Sequence, residues 1–435
     1  MRSTYTPGRF RRYAAACAMT TTILLLNGCS SVTTVEPAAA SAPVQEITAV
    51  AAATTAPSGK SNAVCAAQTP QKSPGKQTQQ VKVEYDEQKD AIVIGKGTNT
   101  TLAAIGRSLN DPAKLRELAP GEWLLATNLR IEQGGALHIG GEEVQRLKLK
   151  SDTSGFVSIK VLGGKLTFEN VCVTSWDAPN NRVDEDYADG RSFVLARDGA
   201  TMTIRNAELS YLGYDANESY GLAWRLNGTS GEISDSTLGY NYYGLYTYEA
   251  SDLVIRGNEV HHSIRYGIDP HTKSKRLLIE DNVSHHNGKH GIILAEECSD
   301  STIRNNVVYD NAMHGIVLYQ RSNGNTVEGN TSYGNGFEGI NLNESSENAI
   351  TGNTVYGNAK AGIGVGQKSN NNTISGNLAH TNQEDGIALY SGATDNVVKQ
   401  NEVRDNKRYG VYAKSVGNEI AQDNQLSGNA QGDVR

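Results

Sequence analysis

Residues 266–272 carry the side chains of this chain that are best suited to proton chemistry. They read Tyr-Gly-Ile-Asp-Pro-His-Thr and place Asp269 two residues before His271. A neutral imidazole can accept a proton near neutral pH, and a neighbouring carboxyl group can hold the ring or bind a hydroxyl. Pro270 stiffens the chain between them. These residue types interrupt a regular repeat, so the segment is a candidate site.

The repeat determines how this segment is held. Asparagine recurs at spacings of 23 or 24 residues, at Asn258, Asn282, Asn306, Asn330, Asn353, Asn377, Asn401 and Asn424. Glycine followed by Ile or Val recurs in the same way, at Gly267, Gly291, Gly315, Gly339, Gly362, Gly386 and Gly410. Each unit has short β-branched runs split by Gly and Asn, without helical periodicity. This pattern predicts an all-β parallel β-helix of about ten coils, with the asparagines stacked as structural ladders.

Strand alternation predicts which side chains point away from the core. If the Ile after each glycine packs inward, the next residue and the one two further on face solvent. The expected outward pairs are Ala223 with Arg225, Tyr246 with Tyr248, Asp269 with His271, Ile293 with Ala295, Val317 with Tyr319, and Asn341 with Asn343. Coils lie about 4.8 Å apart. We therefore expect Tyr248 beside His271, with Arg225 one coil beyond.

Histidines cluster in one part of the repeat, since seven of the nine lie between His261 and His314. Tyr266, His290 and His314 form a column just before the glycines, which fits either a groove lining or simple stacking. A second column holds His261, His285, Tyr309, Tyr333, Tyr356, His380 and Arg404. We interpret this second column as a stacked flank rather than a metal site, because no clear third ligand accompanies the histidine pairs. Neither a metal nor a cofactor is predicted.

Residues 243–258 followed by 266–271 closely resemble the periplasmic mannuronan C5-epimerase family of alginate biosynthesis. Further matches lie at 174–177, 219–222 and 289–293, and the similarity extends from about residue 111 to the C-terminus. The resemblance implies a right-handed β-helix that converts β-D-mannuronate to α-L-guluronate within a polyuronate chain. Such an enzyme removes the C5 proton and reprotonates the sugar from the opposite face, so it needs a base, an acid and a group that offsets the carboxylate charge.

By this resemblance His271 is the base. Asp269 would hydrogen-bond its ring or a sugar hydroxyl, and Tyr266 is the favoured acid, with Tyr248 as the other candidate. The expected substrate-binding side chains are Arg225, Tyr246, Tyr248, Arg265, Lys273, Lys289, His290 and His314.

Two positions depart from the family pattern. Thr272 stands where the motif usually ends in a second Asp, and Glu296 aligns with the arginine that the family places against the substrate carboxylate. Loss of an arginine weakens binding of a polyanion. Two alternatives to the epimerase therefore stay open: a polyuronate lyase acting by β-elimination, and a non-catalytic envelope glycan-binding β-helix protein.

The N-terminal sequence predicts export. Four arginines precede an apolar segment at 14–26, and Leu26-Asn-Gly-Cys29 is typical of a bacterial lipoprotein with Cys29 acylated. Residues 1–29 are thus a predicted signal peptide and 30–80, rich in Ala, Thr, Ser, Pro and Gln, a flexible tether.

The remaining chain divides into a predicted N-terminal cap at 81–161, the β-helix at 162–424, and a polar tail at 425–435 that we expect to fray. The segment 111–118 lies in the cap, where a short helix and strands are expected. A net charge of −7 argues against nucleic acid as a partner. We expect an exported protein, anchored in the cell envelope through Cys29 (in the periplasm or at the outer membrane if the cell is Gram-negative), that acts on an acidic polysaccharide and could join a polysaccharide export complex.

Overall fold

The computed structural model describes residues 83–141 and 143–435. The signal peptide, Cys29 and the tether at 30–80 lie outside these residues, and those predictions stay predictions. The described chain forms three long sheets whose strands pair with the equivalent strands of the next coil, almost all in parallel. The prediction of an all-β parallel β-helix is confirmed.

Sheet 1 carries the candidate site. In order, its 15 strands are Glu84–Asp86, Ala91–Ile94, Asn128–Glu132, Ser158–Leu162, Phe193–Arg197, Gly221–Arg225, Tyr243–Tyr248, Ile268–His271, Ile292–Ala295, Ile316–Tyr319, Ile340–Asn343, Ile363–Val365, Ile387–Leu389, Tyr409–Ala413 and Gly432–Val434.

Sheets 2 and 3 form the other two faces of the coil. The 13 strands of sheet 2 are Asn99–Thr101, Ala136–Gly140, Lys165–Glu169, Thr201–Arg205, Ser230–Ser234, Val254–Arg256, Leu278–Glu280, Thr302–Arg304, Thr326–Glu328, Ala349–Thr351, Thr373–Ser375, Val397–Lys399 and Glu419–Ile420. The 16 strands of sheet 3 are Leu115–Ala119, Glu122–Leu125, Arg146–Asp152, Gly155–Phe156, Cys172–Asp177, Arg182–Val183, Glu208–Ser210, Thr237–Gly239, Glu259–His261, Val283–His285, Val307–Tyr309, Thr331–Tyr333, Thr354–Tyr356, Leu378–His380, Glu402–Arg404 and Gln425–Ser427.

The core is a stack of aliphatic side chains along the axis. In sheet 1, Ile292 pairs with Ile316 and Ile316 pairs with Ile340, and all three side chains are fully buried. The glycine before each of these residues allows the coils to approach, because a Cβ at Gly315 would lie 2.6 Å from the carbonyl oxygen of Gly339. Burial of about 25 cal/mol per Å² of apolar surface makes this column the main stabilising contribution.

Asparagine ladders close the turns. The Asn282 side chain donates to Asn306 Oδ1 at 2.9 Å and to the carbonyl oxygen of Ile255 at 2.9 Å. The predicted ladders are confirmed, and a further one, which the sequence reading did not single out, runs through Asn325, Asn348, Asn372, Asn396 and Asn418. Each ladder satisfies buried backbone carbonyls that a turn would otherwise leave without donors.

The solenoid reaches further toward the N-terminus than the repeat indicated, with about 13 turns rather than about ten. Parallel strands already pass through the predicted cap, where Asn128–Glu132 pairs with Ser158–Leu162. The one helix of the described chain is Leu102–Leu109, a short helix within the predicted cap region, where Thr101 caps its N-terminus and Asn110 ends it in a left-handed conformation. The tail at 425–435 contains the strands Gln425–Ser427 and Gly432–Val434, and its fraying stays a prediction.

The flank of sheet 3 carries the predicted stack of rings. His261, His285, Tyr309, Tyr333, Tyr356 and His380 follow one another with centroid separations of 4.8 to 5.5 Å. The stacking interpretation of this column is confirmed. Within residues 83–141 and 143–435, no three or more His, Cys, Asp or Glu side chains are grouped to hold a metal ion. No helix of this region is long and apolar enough to span a membrane.

Candidate functional site

The strand Ile268–His271 presents Asp269 and His271 on the outer face of sheet 1. Ile268 packs in the aliphatic core, so alternation turns Asp269 and His271 outward. Tyr248 pairs with His271 in the adjacent coil, and Arg225 pairs with Tyr248 one coil further. The predicted register of these positions is confirmed.

Asp269 does not face solvent as predicted. Its side chain is fully buried, and neither carboxyl oxygen has a hydrogen-bond partner among the described residues. The expected hydrogen bond to the His271 ring is therefore absent from the described chain. The outward face of the strand is covered, because the tyrosines of neighbouring coils and of its own coil fold over it.

Burial raises the pKa of four tyrosines, and the negative charge of ionised Asp269 adds to the shift, at Tyr220, Tyr243, Tyr246 and Tyr266. Burial in this aromatic setting raises the pKa of Asp269 well above 3.8, and the negative charge of Glu296 adds to the effect. Lys289 opposes it to a smaller extent. Burial consequently disfavours the ionised form of Asp269 in the folded protein.

His271 is partly accessible, with 27% of its side chain exposed. Its Nδ1 lies 2.8 Å from Thr272 Oγ1, and the ring centroid lies 5.7 Å from that of Tyr246. The pKa of His271 lies below 6.5, mainly because the ring is buried. The negative charge of Glu296 partly opposes this shift, and the positive charge of Arg225 adds to it. The imidazole is thus neutral near pH 7, the form that accepts a proton.

Tyr266 heads a column that continues along the groove. Its ring stacks on His290 at 5.1 Å, and His290 lies 5.0 Å from His314. Burial raises the pKa of Tyr266, so the phenol keeps its proton. Burial and the charge of His314 lower the pKa of His290 to about 3, which makes His290 a neutral groove residue rather than a cation.

The column ends in a buried carboxylate that the sequence reading missed. His314 Nδ1 lies 2.9 Å from Glu338 Oε2, and the Tyr390 hydroxyl donates to Glu338 Oε1 at 2.9 Å. Burial acts to raise the pKa of Glu338, but the hydrogen bond and charge of His314 lower it overall. Glu338 follows His314 by 24 residues in the same column, so extending the column by one coil would have found it.

Arg225 is held among aromatic rings rather than free in the groove. Its guanidinium carbon lies 4.6 Å from the centroid of Tyr248 and 5.7 Å from that of Tyr246, and Nη1 donates to Asn217 Oδ1 at 3.0 Å. Only 7% of the residue is exposed. It contributes positive potential near His271 through a fixed geometry.

Lys289 and Arg265 line a cavity of about 380 Å³ on the other side of Tyr266. Lys289 Nζ lies 5.3 Å from the Tyr266 ring centroid, while Arg265 Nε donates to the Tyr242 hydroxyl at 3.1 Å. The positive charge of Lys273 contributes to lowering the pKa of Glu297. Among the predicted cationic side chains, Lys289 is the one whose positive charge acts to lower the pKa of Asp269.

Thr272 and Glu296 also belong to the site, although the sequence reading treated them as departures from a motif. The Thr272 hydroxyl donates to Glu296 Oε2 at 2.8 Å. They are 24 residues apart and thus occupy equivalent turns of adjacent coils, which is the spacing that could have revealed the contact. The site therefore combines a neutral imidazole, a buried carboxyl group whose ionisation is disfavoured, and protonated phenols on one face of sheet 1.

A family model described as right handed beta helix region matches residues 164–332 and 293–434. The mannuronan C5-epimerase of Pseudomonas aeruginosa is 34% identical over 212 residues, which is 45% of this chain and 38% of that protein. Mannuronan C5-epimerase AlgG of Azotobacter vinelandii is 34% identical over 203 residues, 43% of this chain and 37% of that protein. The chain therefore aligns with less than two fifths of the length of either relative.

A crystal structure of the periplasmic alginate epimerase AlgG superimposes with a TM-score of 0.71 at 26% identity, covering 79% of this chain and 85% of that one. The agreement extends over most of the described solenoid.

Proposed function

The chain belongs to the right-handed β-helix family, and within it we propose that this protein is a C5-epimerase that converts β-D-mannuronate to α-L-guluronate in a polyuronate chain. The predicted right-handed β-helix and the predicted kinship with the mannuronan C5-epimerases agree with the relatives and with the superimposed structure. One observation carries the proposal: the imidazole of His271 and the buried carboxyl of Asp269, which has no hydrogen-bond partner among the described residues, stand two residues apart on one strand.

His271 takes the C5 proton. Its Nε2 makes no hydrogen bond to any residue of the described chain, and the neutral ring is the basic form. As the proton leaves, negative charge builds on the adjacent sugar carboxylate and must be offset within the site.

Asp269 supplies that offset. A carboxylic acid kept neutral by burial can donate a strong hydrogen bond to a developing oxyanion. Asp269 thereby takes the role of stabilising the substrate carboxylate. Glu296, which aligns with the family arginine expected to do this, is unsuited because it is negatively charged. Because Asp269 is fully buried, this hydrogen bond requires the side chains that cover it to move when the sugar binds.

Tyr266 returns a proton on the opposite face. Its phenol remains protonated because burial raises its pKa, and its ring lies on the glycine side of the strand, whereas His271 ends that strand. Lys289 contributes a cation for binding the polyanion, while the buried Arg225 adds positive potential near His271.

We further propose that the protein is exported and lipid-anchored at Cys29 in the cell envelope. Support comes from the signal-like sequence before Cys29 and from the periplasmic epimerase that the fold resembles. An acidic polysaccharide is the proposed partner, and an export complex for that polymer is the proposed setting.

Incubation with polymannuronate in heavy water tests the proposed reaction. Deuterium at C5 of newly formed guluronate is the expected result, because Tyr266 supplies the hydrogen that is returned to C5 and its hydroxyl exchanges with solvent. Unsaturated chain ends would instead identify a lyase, and an unchanged panel of polyuronates would contradict both enzymes. His271→Gln should lose activity by roughly 100-fold or more, and a variant with full turnover would refute the assignment of the base.

A further inference from the structure

We propose that Thr272 and Glu296 form a hydrogen-bonded relay that fixes the tautomer of His271, with Glu296 as a positioning residue for the base. The inference rests on the proposed function, because it concerns which ring nitrogen is free to accept the substrate proton. It gives a role to the glutamate that occupies the position at which the family resemblance leads one to expect an arginine.

The geometry is a chain of two contacts of equal length. His271 Nδ1 lies 2.8 Å from Thr272 Oγ1, and Thr272 Oγ1 donates to Glu296 Oε2 at 2.8 Å. The direct separation of Nδ1 and Glu296 Oε2 is 3.8 Å, too long for a hydrogen bond of its own. The threonine hydroxyl therefore connects the ring to the carboxylate.

The hydroxyl also decides the direction of the chain. A threonine has one hydroxyl proton, and it is committed to the carboxylate, so only lone pairs of Oγ1 remain for Nδ1. Nδ1 satisfies them by carrying the ring proton and donating it. This leaves Nε2 with its lone pair available for the substrate.

A competing contact favours the other tautomer. The backbone N–H of Thr272 donates to Nδ1 at 3.0 Å, a hydrogen bond that requires an unprotonated Nδ1. In that arrangement Nε2 carries the proton and cannot act as a base, while the Nδ1 and Oγ1 lone pairs oppose each other at 2.8 Å. The carboxylate of Glu296 disfavours this alternative, because it holds the hydroxyl proton and leaves the Oγ1 lone pairs facing Nδ1.

The surroundings of His271 contain two charges of opposite effect. Glu296 raises the pKa of His271 and Arg225 lowers it. The other groups against the ring are uncharged: Tyr246 lies 5.7 Å away by ring centroids, and Tyr248 and Ala295 are its register neighbours. Glu297, by contrast, pairs with Arg321 at 2.7 Å. Within the described residues it makes no hydrogen bond or ion pair with the imidazole of His271.

The first test is the tautomer, measured by nitrogen-15 NMR of histidine-labelled full-length protein without substrate. His271→Gln identifies the resonances by their loss. The wild type and Thr272→Ser should show Nδ1 protonated, because serine keeps the hydroxyl. Thr272→Val keeps the shape and removes the hydroxyl, so it should shift the ring to the Nε2-protonated form. An unchanged tautomer in Thr272→Val would overturn the proposal.

The second test is the pH profile of kcat/KM. Glu296→Gln removes the charge that raises the pKa of His271, so the acid limb, which reports loss of the neutral base, should move to lower pH. Glu297→Gln is the matched control and should leave that limb in place. Thr272→Val should lower kcat by roughly 100-fold, a loss that higher pH does not restore. Equal shifts in both glutamine variants would overturn the role of Glu296.

The two readouts separate this inference from the proposed function. If polymannuronate is not epimerised by the wild type, the proposed function fails while the NMR measurement still decides the relay. If epimerisation occurs but the tautomer of His271 is the same in Thr272→Val as in the wild type, the relay is refuted and the proposed function stands.

Discussion

A carboxyl group without a hydrogen-bond partner is costly inside a protein, and Asp269 is such a group at the centre of the groove. Its protonation reduces that cost but does not remove it. Groups kept in unfavourable environments concentrate at functional sites, where the substrate supplies the missing partner. Asp269 therefore connects the stability of this chain to its proposed activity.

Asp269→Asn should raise stability at neutral pH and abolish the proposed function. The folded pKa of Asp269 lies above 3.8, so the native state holds a proton that the unfolded chain releases. Below the unfolded pKa the two states bind it equally. As pH rises toward the folded pKa, stability falls by up to about 1.4 kcal/mol per pH unit. Asparagine does not titrate, so denaturation midpoints of wild type and variant should agree near pH 3.5 and diverge toward pH 7.

Asp300→Asn is the control, since that carboxyl is exposed in the next coil. It should not reproduce the pH-dependent gain. Epimerase activity of Asp269→Asn should fall by roughly 100-fold or more, because an amide is a weaker donor to a developing oxyanion than a carboxylic acid. A variant that gains no stability between pH 4 and pH 7 would show that Asp269 is ionised in the native state.

At the scale of the element, each coil is held by ladders rather than by long strands. Because most strands are short and each buries few side chains, the hydrogen bonds of the turn asparagines do much to fix the alignment of one coil on the next. Asn306 donates to Asn330 Oδ1 at 2.9 Å, to the carbonyl of Ile279 at 3.0 Å and to that of Arg304 at 3.0 Å. It also accepts from Asn282. Its side chain thus satisfies groups in three successive coils.

Asn306→Ala should destabilise the solenoid by about 2–4 kcal/mol, because several buried donors and acceptors lose their partners at once. Asn424→Ala is the comparison, since Asn424 accepts from Asn401 but lies at the last rung of its ladder and is less buried. We expect a loss of about 1 kcal/mol there. Denaturant unfolding followed by far-UV circular dichroism measures both, and equal losses would show that the ladder position is irrelevant.

At the scale of the whole molecule, most contacts join neighbouring coils, although the hydrogen bond from Tyr390 to Glu338 spans two coils, so stability is approximately a sum of local contributions. The coils from about 282 to 406 have complete asparagine ladders on both sides. The strands Gln425–Ser427 and Gly432–Val434 at one end are exposed and stack on one neighbour.

Hydrogen–deuterium exchange should therefore be slowest in the central coils and fastest in these C-terminal strands. The candidate site around His271 lies immediately before the coils with complete ladders, so we expect slow exchange there as well, with the base held fixed between turnovers. Peptide-level exchange followed by mass spectrometry gives the profile. Uniform protection from end to end would contradict the nearest-neighbour description and indicate that the solenoid opens as one unit.

The residue spacing was enough to predict the solenoid and its register, because a repeat of 23 or 24 residues leaves one arrangement that buries the isoleucines. The strand period of two then predicts the outward direction of Asp269 and His271. Only the tertiary structure decided what covers those side chains. Burial of Asp269, its protonation and the link from His271 through Thr272 to Glu296 depend on ring positions and distances between coils. Such positions are set by side-chain packing across three or four coils, which a spacing in one dimension does not specify.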